Sequence, residues 1–256
     1  MGLMYSEAQR QGGSKIDFCD RDPLQRWLTQ ATRESVTDSF RRKVADRAHD
    51  LGAGADKSVL IHRLAEWQGD IKSGGRPVGL YVPRLVLERE ITAVDPRFKR
   101  LYRDDRSSSG RARFDEAGQR LRADPSLTND WLALTASFGK TFADHVKERY
   151  SAARIRLFRG VRGDAGELAG MAHDRRLSWA RENLLHGTAE NWSPLPGVAE
   201  GALNGTPGIV IGAEFDTAAV VCTHELGAET NVRPWRVESG QVITTFRYTS
   251  IDVYVR

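Results

Sequence analysis

Six large apolar residues, Trp131, Leu134, Phe138, Phe142, Val146 and Tyr150, recur at spacings of three and four. That period predicts a helix buried along one face, roughly 20 residues long. It leads directly into Arg154-Ile155-Arg156-Leu157-Phe158-Arg159-Gly160-Val161, whose alternation predicts a strand. Ile155, Leu157 and Arg159 fall on one face of it, and Arg154, Arg156 and Phe158 on the other. An arginine on the buried side of a strand is costly unless it meets an anion. Its planar fork suits a carboxylate or a phosphate. Two readings stay open: Arg159 pairs with a neighbouring carboxylate, or it holds the phosphate of a ligand.

The chain's 256 residues suffice for one large domain or a domain with a substantial extension. With 40% hydrophobic and 28% charged residues it has the composition of a soluble globular protein. A net charge of +4 is compatible with phosphate-bearing ligands but too small to argue for nucleic acid. Cys19 and Cys222 are the only cysteines, so there is neither a disulfide framework nor metal-ligand spacing. His173, His186 and His224 are scattered, and no metal is expected. No apolar run is long enough to span a bilayer, and the N-terminus lacks the apolar core of a secretory signal. Met1-Gly2-Leu3-Met4-Tyr5-Ser6 fits the spacing for N-myristoylation at Gly2, which would give peripheral membrane attachment only with a second signal such as Cys19.

In chain order, residues 1–21 read as a flexible leader. Residues 22–110 read as a mainly helical extension, and 111–256 as the principal domain. The extension opens at Asp22-Pro23 with a helix carrying Leu24, Trp27, Leu28 and Ala31. A second helix runs from about Thr37 to Leu51, with Phe40, Val44, Ala48 and Leu51 inward, and Gly52 stops it. A third starts near Asp56 and buries Leu60, Ile61, Leu64 and Trp67. Arg33, Arg41, Arg42, Arg47 and Arg63 form a solvated face. Interleaved acids (Asp38, Asp46, Asp50, Glu66) argue against nucleic-acid binding by it. Val78 to Val82 and Leu85 to Thr92 read as extended, and Arg103 to Arg111 as a linker.

Beyond the first strand the chain reads as loop, then a short strand entry at Leu177-Ser178-Trp179. A helix over Ala180 to Asn191 and a loop around Pro194, Pro196 and Gly201 follow. Gly208 to Phe215 predicts a central strand and Thr217 to Leu226 a helical or irregular connection. Trp235–Val237, Val242–Tyr248 and Ile251–Val255 predict late strands. Mixed elements without regular βαβ alternation make the fold class α+β.

The order of long helix, Arg159-Gly160 strand, Leu177-Ser178-Trp179-Ala180 and β-rich tail resembles the mono-ADP-ribosyltransferase family of bacterial toxins and plant-pathogen type III effectors. The resemblance covers roughly residues 126 to 256. It implies a split β-sandwich whose cleft binds NAD, and a signature of arginine, serine and glutamate. On that resemblance Arg159, with Gly160 beside it, would grip the dinucleotide. Ser178, next to Trp179, would orient the catalytic glutamate, which would stabilise the oxocarbenium-like transition state as nicotinamide leaves. The third element departs from the pattern. The Glu88-Arg89-Glu90 run precedes the arginine, leaving Glu238 in Trp235-Arg236-Val237-Glu238 and Glu229 in Ala228-Glu229-Thr230 as the candidates.

The resemblance implies an effector, secreted by a bacterium into the host cytoplasm, that transfers ADP-ribose from NAD to a host protein. The alternative is a catalytically silent protein of the same fold that acts by binding a host protein. A third reading, a basic helical adaptor working through residues 22 to 70, would depend on lipid or nucleic-acid binding by that half.

Overall fold

The computed structural model describes residues 38–72, 78–96, 108–163, 190–223 and 230–254, with isolated positions between 167 and 179. Five helices come first: α1 (Asp38–Asp50), α2 (Lys57–Lys72), α3 (Val78–Val94), α4 (Ser108–Ala123) and α5 (Ser126–Tyr150). Strand β1 (Arg154–Arg162), β2 (Glu190–Trp192), helix α6 (Pro196–Gly201) and β3 (Gly208–Asp216) follow. A 3-10 turn over Thr217–Ala219 leads to β4 (Val220–Thr223), β5 (Thr230–Val232), β6 (Trp235–Glu238), β7 (Gln241–Thr244) and β8 (Phe246–Tyr254). Helices and small antiparallel sheets make this an α+β fold, as the sequence predicts.

The predicted stripe organises the core. Trp131, Leu134, Phe138, Phe142 and Val146 are buried along α5. On one side Phe138 meets Phe40 of α1 edge-on at 5.3 Å. The core continues from α5 into the sheets, through Ile155 and Leu157 of β1, Ile211 and Phe215 of β3, and Trp192 of β2. Trp192 and Phe215 pack T-shaped at 4.8 Å. A single apolar cluster thus includes both Phe40 of the helical half and Val232 of β5.

Strand order is β1-β3-β8 in one sheet, β2-β5-β4 in a second, and β6-β7 form a separate hairpin. β3 is the central strand of the first sheet, buried over nearly its whole length. The β1 and β3 predictions match these elements. The late region is β as expected, but Val242–Tyr248 spans β7 and the start of β8, with the break at Thr245, and Ile251 continues β8. The connection read over Thr217–Leu226 contains β4.

Several expectations fail. The stretch read as extended, Val78–Val82 and Leu85–Thr92, is helix α3, with Pro83 inside it. Its β-branched residues mislead locally, but Val82, Val86, Leu87 and Ile91 are buried at helical spacing. Tertiary packing overrides propensity there. Leu51 is 57% exposed rather than inward, because it follows the last turn of α1, and Gly52 at φ +77° turns the chain away. Arg63 is not solvated: it pairs with Asp130, which is buried, and with Asp124 at 3.5 Å. Ser178 and Trp179 are helical rather than a strand entry. The Pro194–Gly201 loop contains α6, for which Pro196 supplies a first-turn proline. Asn191, assigned to a helix, is in β2. Of the linker read over Arg103 to Arg111, positions 108–111 are the start of helix α4. Positions 103–107, the leader with Gly2 and Cys19, the first helix and Glu229 lie outside the described residues.

Candidate functional site

The site begins with β1. It pairs antiparallel with β3 from Arg154↔Asp216 to Arg162↔Gly208. Ile155 and Leu157 point into the core, and Arg159, next on that face, is half-buried. The outer arginines of this sheet find carboxylates across the strands. Arg154 reaches Asp216 at 3.1 Å and Arg247 reaches Glu214. Arg159 stands opposite Ile211 in the register.

Among the described residues one backbone bridge joins β1 to the end of β2. Phe158 and Ser193 exchange both backbone hydrogen bonds: Phe158 N–H donates to Ser193 O at 2.7 Å, and Ser193 N–H to Phe158 O at 2.8 Å. Arg159 follows that bridge by one residue, at the point where β1 stays with β3 and the second sheet departs. Gly160 comes next, and packing explains it. A Cβ there would lie 1.9 Å from the carbonyl oxygen of Ala199 in α6. The space beside Gly160 therefore belongs to α6, not to a ligand.

The remaining candidates scatter. Ser178 is exposed, and its hydroxyl donates to the carbonyl of Asp174 at 3.2 Å, one helical turn back. Trp179 is partly buried against the core. Glu238 ends β6 on the separate hairpin, exposed and paired with Arg236 at 2.9 Å. Neither Ser178 nor Glu238 belongs to the sheets that meet at Arg159. Glu229 directly precedes Thr230, the β5 residue paired with Trp192 of β2. Glu229 itself lies outside the described residues.

Three residues near the junction escape the sequence reading. Ser193 is 3% exposed and its Oγ accepts the Leu195 N–H at 3.0 Å. Asn191 of β2 lies opposite Asn231 of β5, so both side chains share one face. Asn231 is 1% exposed, and its Oδ1 has no hydrogen-bond partner among the described residues. The missed signal is Asn191-Trp192-Ser193, where a tryptophan and a serine stand side by side immediately before Pro194, Trp192 closing β2 and Ser193 forming the bridge to β1.

Around this junction α3 and the second sheet exchange polar contacts. Arg233, just past β5, donates to Glu90 of α3 at 2.6 Å, with side chains 12% and 27% exposed. Burial pulls the Arg233 pKa below its usual value, and the Glu90 carboxylate opposes that shift. Arg84 of α3 donates to Asn191 Oδ1 at 3.4 Å. Away from the junction, a cavity of about 380 Å³ opens between α1 and α5, lined in part by Lys43, Asp46, Arg47, Thr141 and Asp144. Among the described residues no group of histidine, cysteine, aspartate and glutamate is placed to hold a metal ion. Among them, too, no helix is long and apolar enough to cross a membrane.

No protein-family model, curated protein or solved structure matches the chain.

Proposed function

We propose that this chain is an effector-like mono-ADP-ribosyltransferase whose split β-sandwich binds NAD beside Arg159 and passes ADP-ribose to a host protein. One observation carries the reading: a half-buried arginine stands one residue past the only backbone bridge described between the strand that bears it and a second sheet. A guanidinium at such a divergence suits a pyrophosphate entering between the sheets. Ser193 at the bridge supplies a hydroxyl, and in this reading the carboxylate is Glu229, which immediately precedes Thr230 in the sequence.

In this reading the chemistry is cleavage of the bond between nicotinamide and ribose. The departing nicotinamide takes the bonding electron pair, and positive charge builds on the sugar. A fixed carboxylate stabilises that charge, and a nucleophilic side chain of the target protein then closes the bond to the sugar, losing its proton. Nicotinamide release from NAD by the full chain tests the proposal. Release abolished by Arg159→Ala and by Glu229→Gln supports it, and no release by the unaltered chain contradicts it.

A second reading has its own observation. The residue paired with Asn191 inside the second sheet is an amide, Asn231, and Glu238 is engaged with Arg236 on a separate hairpin. An amide does not supply the charge of a carboxylate. A catalytically silent protein that binds NAD, or a host protein alone, follows from that. NAD binding without nicotinamide release would favour it.

A further inference from the structure

Helices α1 and α5 are pinned to each other by contacts of several kinds. Phe40 packs edge-on against Phe138 at 5.3 Å, the Ser137 hydroxyl donates to the Val44 carbonyl, and Arg47 pairs with Asp144. Beside these contacts the helices leave the cavity of about 380 Å³. That volume is in the range of small-molecule pockets. Side chains of both helices line it, and helices hold such groups more exactly than loops do.

The lining holds polar groups left unmatched. Thr141 is 6% exposed, and its Oγ1 has no hydrogen-bond partner among the described residues. Thr135, earlier on the same helix, settles its hydroxyl on the Leu132 carbonyl at 3.0 Å. Asp144 engages Arg47 Nη2, but Arg47 Nη1 is buried and likewise without a partner among those residues. Unmade buried hydrogen bonds are costly, and a ligand that reaches them relieves the cost. Lys43 of α1 and Glu148 of α5 add exposed charges of opposite sign, and neither forms an ion pair among the described residues. Asp46, also on the wall, is taken by Lys57.

We propose that this cavity binds a free α-amino acid as its zwitterion. The carboxylate takes the Arg47 Nη1–H and the Thr141 hydroxyl, and the ammonium faces Glu148. Helix geometry supports that order. Thr141 lies one turn before Asp144 on α5 and Glu148 one turn after it, so the guanidinium held by Asp144 stands within a turn of both. An α-amino acid carries both charges on one carbon, which suits groups about 5–6 Å apart. Lys43, one turn before Arg47 on α1, reinforces the positive side. The wall carboxylates disfavour a simple anion, and Lys43 with Arg47 disfavours a simple cation.

Calorimetric titration of the full chain with each of the common L-amino acids tests the site without reference to NAD. At least one should bind saturably. For that amino acid, Glu148→Gln and Thr141→Val should each weaken binding at least tenfold while the melting temperature holds. Its deaminated acid and its decarboxylated amine should each bind the unaltered chain at least tenfold more weakly. Those analogues need no variant, which keeps the test open if Thr141→Val fails to fold. Binding by no amino acid overturns the proposal. So does binding indifferent to Glu148→Gln, or an analogue that binds as tightly as the amino acid itself.

Discussion

Phe158 and Ser193 exchange hydrogen bonds of 2.7 and 2.8 Å, and through that pair the arginine strand meets the second sheet. The proposed function turns on the next residue, Arg159, because the sheets part there. The bridge also fixes what the neighbouring positions can tolerate.

Gly160 is the first case. A methyl group at this position would collide with the Ala199 carbonyl, which is backbone and cannot swing away. Gly160→Ala should therefore cost about 3 kcal/mol or more, as α6 is pushed off β1. Urea unfolding followed by tryptophan fluorescence measures it. A loss below about 0.5 kcal/mol would mean that α6 does not pack on β1 as described.

The Glu90–Arg233 pair makes a second, independent prediction. Glu90→Ala leaves the Arg233 guanidinium 12% exposed and without its carboxylate. Breaking one side of a buried pair costs about 3 kcal/mol, whereas Glu90→Gln, which keeps an acceptor, should cost less. Equal stability of both variants and the unaltered chain in chemical denaturation would contradict the pairing.

Asp130 gives a pH dependence of defined sign. It is buried beside Arg63, and burial outweighs the arginine, so its pKa is raised above the ordinary 3.8. The folded state then holds the Asp130 proton more tightly than the unfolded state. This group's contribution accordingly falls as pH rises from about 3.8 to its raised folded value, and is flat above it. Asp56 and Asp124 have the opposite sign. Hydrogen bonds, chiefly from the Ser58 and Ser126 side chains, lower their pKa values, so their contributions are lost as pH falls through those values. Stability measured against pH for the chain and for Asp130→Asn isolates the Asp130 term. The difference between the two should shift against the unaltered chain across that window. A shift in its favour would refute the assignment.

On the proposed reading Glu229 is the catalytic carboxylate and Glu238 is not. Glu229→Gln should reduce nicotinamide release by about 100-fold or more, while Glu238→Gln, on the outlying hairpin, should leave it within a few fold. The reverse pattern would move the chemistry to the β6–β7 hairpin.

Much of the fold was legible because its strongest signals are periodic. The α5 stripe and the alternation in β1 and β3 mark burial on one side, or on both, and burial is what the core demands. α3 reads as extended because Val82, Val86 and Ile91 are β-formers by preference, and only burial against neighbours distant in sequence makes them helical. The junction at Arg159 was legible only in part. The arginine itself stands out in an apolar strand, but Ser193 is a lone bridge residue just past β2 and Asn231 lies in β5, and both strands are too brief to show a period. Leu177-Ser178-Trp179 reads as locally extended, yet the Ser178 hydroxyl turns back to the Asp174 carbonyl.

Calorimetry of NAD binding to the full chain and to Arg159→Ala is the most direct measurement. The account predicts saturable binding that weakens at least tenfold in Arg159→Ala while the melting temperature holds. Equal binding by both proteins, or none by either, would contradict it.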